Sequence, residues 1–140
     1  MPKIAIASRT TRRFDSYSQA ASFRPNSETL TWTFGWRRGM EAVARQPNVH
    51  VKVSEFGLKD SAWEYESNRR VVLEAIAIFG IERCMFASNF PVAGLRIDYD
   101  TLVRSLDRML ADRSQADRGR FFWKNAAAFY RLSLPLSVTT

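Results

Sequence analysis

Two strand-like runs with a helix between them constrain this chain more than any other feature. VHVKVSEF, residues 49–56, alternates: Val49, Val51 and Val53 face one way, and His50, Lys52 and Ser54 the other. NRRVVLEAIAIF, residues 68–79, carries a broad apolar stripe of Val71, Val72, Ala75, Ile76 and Phe79, and Gly80 follows as a natural helix terminator. RCMFASNFPV, residues 83–92, starts as a buried strand and then turns polar at Ser88 and Asn89. Pro91 lacks a backbone donor, so the strand has ended by that point. A strand, a long helical crossover and a second strand make a parallel pair. A parallel pair needs cover on both faces. Polar side chains at the carboxyl end of such a strand occupy the ligand-binding side of an α/β sheet.

The rest of the chain adds mainly helices. ETLTWTF, residues 28–34, alternates Leu30, Trp32 and Phe34 with threonines and predicts a short strand. WRRGMEAVARQ, residues 36–46, predicts a helix, with Trp36, Met40 and Val43 on one face and Pro47-Asn48 ending it. Ser67 is placed to cap the helix that follows, and Asp98 to cap one over 99–111, with Leu102, Val103, Leu106, Met109 and Leu110 along one side. Ser114 with Asp117 resembles a capping box for a helix over 115–124, and NAAAFYRL, residues 125–132, reads as a further short helix. Residues 1–27 are rich in Ser, Thr and Arg and show little periodicity. They match an organelle-targeting peptide in part but read more simply as a poorly ordered head. The expected division is a basic head over 1–35, an α/β body over 36–132 and a flexible tail over 133–140.

The chain is 46% hydrophobic and 13% aromatic, enough to bury a core. No apolar run approaches the ~20 residues a membrane helix requires, and no secretory apolar stretch opens the chain. The net charge of +7 is spread without a Lys/Arg block, so nucleic acid is not the expected partner. A single cysteine, Cys84, falls in the most strand-like segment and reads as a small core residue. A reduced, cytoplasmic setting is the default expectation.

The string PNVHVKVSEFGLKDSAWEYESNRRVVLEAIAIFGIERCMFASNFPV, with NAAAFYRL downstream, resembles the carboxyl-terminal part of the amidohydrolase-related family. WRRGM fits the helix before that family's seventh strand. These are metal-dependent or metal-independent hydrolases and lactonases of TIM-barrel fold. The resemblance covers about residues 36–132. It implies that 49–55 correspond to barrel strand seven and 83–89 to strand eight, so that this chain is a partial barrel and not a closed one. It also implies a small-molecule substrate and, in full-length members, a divalent metal.

Two departures from the pattern stand out. Strand eight of the family ends in Gly-Ser-Asp-Trp-Pro or close to it, its Asp being a metal ligand or general base; here Asn89 stands in that place. An amide cannot take a proton from water at neutral pH and is a weaker metal ligand than a carboxylate. The second departure is the lack of histidines. His50 is the only one, and no metal centre of the usual kind can be assembled from it.

By this reading Asn89, Ser88 and Lys52 are the candidate catalytic residues, and Ser54, Glu55 and Trp63 the candidate substrate contacts; none is assigned to a metal. Each has a plainer role as well. Ser88 and Asn89 could bond neighbouring backbone, Lys52 could lie on an exposed edge, and Trp63 and Tyr65 could simply pack. Arg83 reads as a surface cation. The expected function is a truncated or divergent hydrolase, whose ancestral reaction is attack of an activated water on a lactone or related C–O or C–N bond. It is expected to be inactive alone, because a barrel needs eight strands. Open edges predict self-association or a missing amino-terminal barrel segment. The alternative is a non-catalytic binding or scaffold module whose basic head engages acidic partners.

Overall fold

A computed structural model describes residues 3–8, 29–54 and 63–133 of the chain, with side chains from residue 35 onward. Glu55, most of the expected head, the loop over 57–62 and the tail from 134 lie outside the described residues. In chain order the elements are β1 (Lys3–Ser8), α1 (Thr29–Ala44), β2 (Val49–Ser54) and α2 (Tyr65–Phe79). A 3-10 turn (Ile81–Arg83) leads into β3 (Cys84–Phe86), and a second (Val92–Leu95) leads towards α3 (Tyr99–Met109). The chain ends in α4 (Gln115–Gly119), a π turn (Arg120–Lys124) and α5 (Asn125–Tyr130).

The three strands form one sheet in the order β1-β2-β3. β2 and β3 are parallel, with Val51 opposite Cys84, Lys52 opposite Met85 and Val53 opposite Phe86. The Ala87 amide donates to the Val53 carbonyl at 3.0 Å and carries the pairing one step further. β1 runs antiparallel along the other edge of β2, from Lys3 opposite Ser54 to Ser8 opposite Val49.

Alternation along β2 separates two faces. Val49, Val51 and Val53 are buried in the main core, together with Val72, Ala75, Ile76 and Phe79 of α2, Cys84, Leu102 and Leu106 of α3, and Phe121. His50, Lys52 and Ser54 are half-buried on the opposite face. Met85, level with Lys52, is fully buried on that side.

The helices correct the sequence reading in three places. The expected strand over 28–34 is instead the start of α1, which begins at Thr29 and runs unbroken to Ala44. Trp32, Trp36, Met40 and Val43 also fall on a helical spacing. Once the strong helix former MEAVA has nucleated, extension back through the threonines costs little per residue. Ser67 does not cap α2. Glu64 is the N-cap residue, and both Ser67 and Asn68 donate from their side chains to its carbonyl. α4, the π turn and α5 follow one another through right-handed helical backbone, so the two expected helices are one interrupted helix. The extra residue in the π turn shifts the register and seats Phe121 fully inside the core.

Other expectations hold. Asp98 Oδ1 accepts from the Thr101 amide at 2.8 Å and Ser114 Oγ from the Asp117 amide at 3.1 Å, so each helix start has its cap. Gly80 takes φ +78°, and its amide donates to the Ile76 carbonyl at 2.9 Å. No described helix is long and apolar enough to cross a membrane.

Candidate functional site

Because β2 and β3 are parallel, their carboxyl ends lie on the same side of the sheet. Ser54 closes β2 there, and Ser88 and Asn89 follow β3. The Ser88 hydroxyl accepts from the Phe90 amide at 3.3 Å, and the Asn89 carbonyl accepts from the Ala93 amide at 2.9 Å. These bonds fold the chain into a tight turn containing a cis Phe90–Pro91 bond, with Asn89 at φ +54°. Asparagine tolerates that left-handed conformation better than most residues. The Asn89 Nδ2 is buried and finds no acceptor.

Trp63 stands on the same side, just ahead of α2. It packs against the core, and its ring meets Tyr65 edge-on at 6.2 Å. With Gly94, Leu95, Arg96, Ile97, Asp98 and Thr101 it lines an open cavity of about 500 Å³. That cavity therefore lies between the segments that follow the two parallel strands. The Asp98 carboxyl is held below its ordinary range, mainly by its hydrogen bonds to Thr101.

The other candidates are not brought to this end. Lys52 is level with Met85, on the order of 10 Å short of Asn89 at strand rise, and its Nζ sits 5.9 Å from the centre of the Tyr130 ring. His50 is further back still, its ring 4.9 Å from Phe129. α5 thus spreads over the face that carries Lys52 and His50. Cys84 is fully buried, as its sequence context predicts; its Sγ lies 3.6 Å from the Ala75 carbonyl, and burial pushes its thiol up to about 12. A thiol so protonated is a packing group and not a nucleophile.

Two residues matter more than the sequence reading suggests. Arg83 is no surface cation. Its Nε donates to the Phe79 carbonyl at 2.9 Å, and its Nη1 donates to the carbonyls of Ala44 at 2.8 Å and Gln46 at 3.1 Å. One guanidinium therefore ties the carboxyl ends of α1 and α2 to the start of β3, where a cation also suits the helix dipoles. Asn125 donates from Nδ2 to the carbonyls of Ile81 and Cys84, both at 2.7 Å. The Ala87 amide points to β2, so by alternation the Cys84 carbonyl points away from it, to the outer edge of β3. Asn125 caps that edge and fixes the strand on which Asn89 is mounted. Only the asparagine in NAAAFYRL hinted at this, and its partners lie more than forty residues back.

The donor set at the strand ends does not fit a divalent cation. No group of three or more His, Cys, Asp or Glu side chains able to hold a metal occurs among the described residues. The buried atom that lacks a partner, Asn89 Nδ2, is a hydrogen-bond donor.

Comparison with known proteins places this geometry. The chain is 44% identical over 98 residues to protein y4mH of Sinorhizobium fredii, covering 70% of this chain and 33% of that one. It is 34% identical over 110 residues to the L-fucono-1,5-lactonase of Burkholderia ambifaria, covering 71% of this chain and 36% of that one. It thus spans about a third of the length of these curated relatives. Crystal structures of an amidohydrolase from Burkholderia multivorans match it with a TM-score of 0.66. The form with bound HEPES is 27% identical, with 77% of this chain and 39% of that chain covered. The form with bound zinc is 28% identical, with 76% and 40% covered. A family model described as amidohydrolase matches residues 33–132, well over half of the chain, and with a parallel strand pair that carries its polar turn at the carboxyl end, the chain belongs to the amidohydrolase family.

Proposed function

We propose that this chain is an arc of an amidohydrolase barrel, its β2 and β3 corresponding to strands seven and eight. The reaction of the complete barrel is hydrolysis of a small lactone by an activated water. The observation that carries this reading is the polar turn Ser88-Asn89 at the carboxyl end of β3, in a chain 34% identical to a lactonase. Catalytic groups of a TIM barrel come from the ends of several strands. Two strand ends supply Ser54, Ser88, Asn89 and the Trp63 cavity, which can bind and orient a carbonyl compound. They offer no described base for the water, since a carboxamide does not accept its proton. The chain alone is therefore inactive, and its missing groups come from a partner polypeptide carrying the remaining strands.

Phe90, Leu95 and Tyr99 are exposed beside the turn, at 36%, 83% and 49%, and form an apolar rim next to the open edge of β3 for such a partner. Simple aldonolactones test the proposal. The chain alone should give no turnover above a buffer blank. Mixing it with the amino-terminal two thirds of the Sinorhizobium fredii relative should restore turnover. Turnover by the chain alone would refute its incompleteness, and a stable but inactive mixture would refute the hydrolase reading.

A further inference from the structure

We infer that the Asn89 carboxamide is the hydrogen-bond donor for a ligand oxygen, and that this strand end takes a carbonyl, carboxylate or hydroxyl oxygen in place of a divalent cation. The inference rests on the reading above only in taking the carboxyl end of β3 as the ligand side. Two costs meet at this one residue. Its backbone sits at φ +54°, where glycine is at ease and other residues are strained. Its Nδ2 has been taken from water and given no acceptor. Nothing in the fold recovers either cost: the turn is already held by the Ser88 hydroxyl and by the Asn89 main-chain carbonyl. A side chain that strains its backbone and leaves a donor idle is one kept for something it binds.

The chemistry of that donor selects the ligand. An N–H group presents positive charge, which repels a cation and suits an oxygen lone pair. Turned end for end, the amide would offer one neutral oxygen, with no metal-holding cluster among the described residues to join it. The family position that elsewhere carries a carboxylate is here a neutral donor that can orient a lactone carbonyl or the carboxylate of the product. It neither accepts a proton nor anchors a metal.

The test compares the full chain with Asn89→Gly. The variant deletes the idle donor and relieves the backbone, so without ligand it should melt higher, by on the order of 5 °C. Sodium gluconate, an open-chain aldonate used as the probe, should raise the melting temperature of the natural chain and leave the variant unmoved. After incubation with zinc and gel filtration, the natural chain should hold no more metal than the variant. A variant that melts lower would make the amide a structural brace and overturn the inference. So would an equal gluconate shift in both proteins, no gluconate shift in either, or zinc retained by the natural chain and lost in Asn89→Gly. Loss of the gluconate shift in the variant, together with an inactive reconstituted mixture, supports the donor and rejects the lactonase reading. An equal shift with an active mixture does the reverse.

Discussion

Replacing Asn125 by alanine removes two hydrogen bonds with one substitution. Its carboxamide serves the carbonyls of Ile81 and Cys84 at 2.7 Å each, at a half-buried junction between α5 and β3. Neither carbonyl has a strand beyond it among the described residues to take over. A buried acceptor left unsatisfied costs about 1–3 kcal/mol, and water reaches this junction in part, so Asn125→Ala should cost about 2–4 kcal/mol. That corresponds to a melting temperature lower by on the order of 10 °C. Asn125→Asp makes a sharper comparison, because its volume is unchanged. An ionised carboxylate would face two carbonyl oxygens, so at pH 7 the aspartate variant should be less stable than the alanine one. The same repulsion raises its folded-state pKa above the unfolded value. Its stability is therefore highest below the unfolded pKa and is lost as pH rises through the folded one. Urea melts of the natural chain and both variants at pH 4 and pH 7 measure this. If Asn125→Asp equals Asn125→Ala at pH 7, and its deficit from the natural chain does not shrink at pH 4, Asn125 does not act as a double donor at the β3 edge.

Other outcomes follow from the same contacts. Phe121 is fully buried at the π turn and meets Phe122 edge-on at 5.6 Å, so Phe121→Ala should lose about 3–5 kcal/mol in chemical denaturation. Asp98→Ala should lower the melting temperature at pH 7 by loss of the α3 cap. The Asp98 carboxyl is held below its ordinary range, so its contribution is present above the unfolded pKa and is lost as pH falls through the folded one. The gap between variant and natural chain should therefore close in acid. Cys84 should resist a thiol reagent at neutral pH in the folded chain and react fully in guanidinium chloride, since burial both shields the thiol and keeps it protonated.

What could be read from the sequence divides along the range of the interactions. The β2 alternation, the α2 stripe and the caps at Asp98 and Ser114 rest on neighbours a few residues away, and the chain shows each of them. The segment 28–34 misled because a period of two over seven residues competes with a helix propagating from downstream, and the helix wins cooperatively. Arg83 and Asn125 were opaque for a different reason. Their partners are main-chain carbonyls about forty residues distant, and a carbonyl has no signature in a sequence. At the site, the change to Asn89 was visible, and so was the lack of histidines. The idle donor and the left-handed backbone were not, because both depend on what surrounds the turn.

The direction of β1 bears on how this sheet could be enlarged. A cylinder of the TIM type requires every adjacent pair to run the same way. Along Val49–Ser54 the flank facing β1 is already engaged by Lys3–Ser8 with the opposite polarity. A newcomer of the right polarity must first peel that segment off, or else attach at the far margin, past β3. There it meets a ledge only three residues long whose first carbonyl is already taken by Asn125. Growth of the wall is thus one-sided by default, and excision of Lys3–Ser8 is the change that would open the second side.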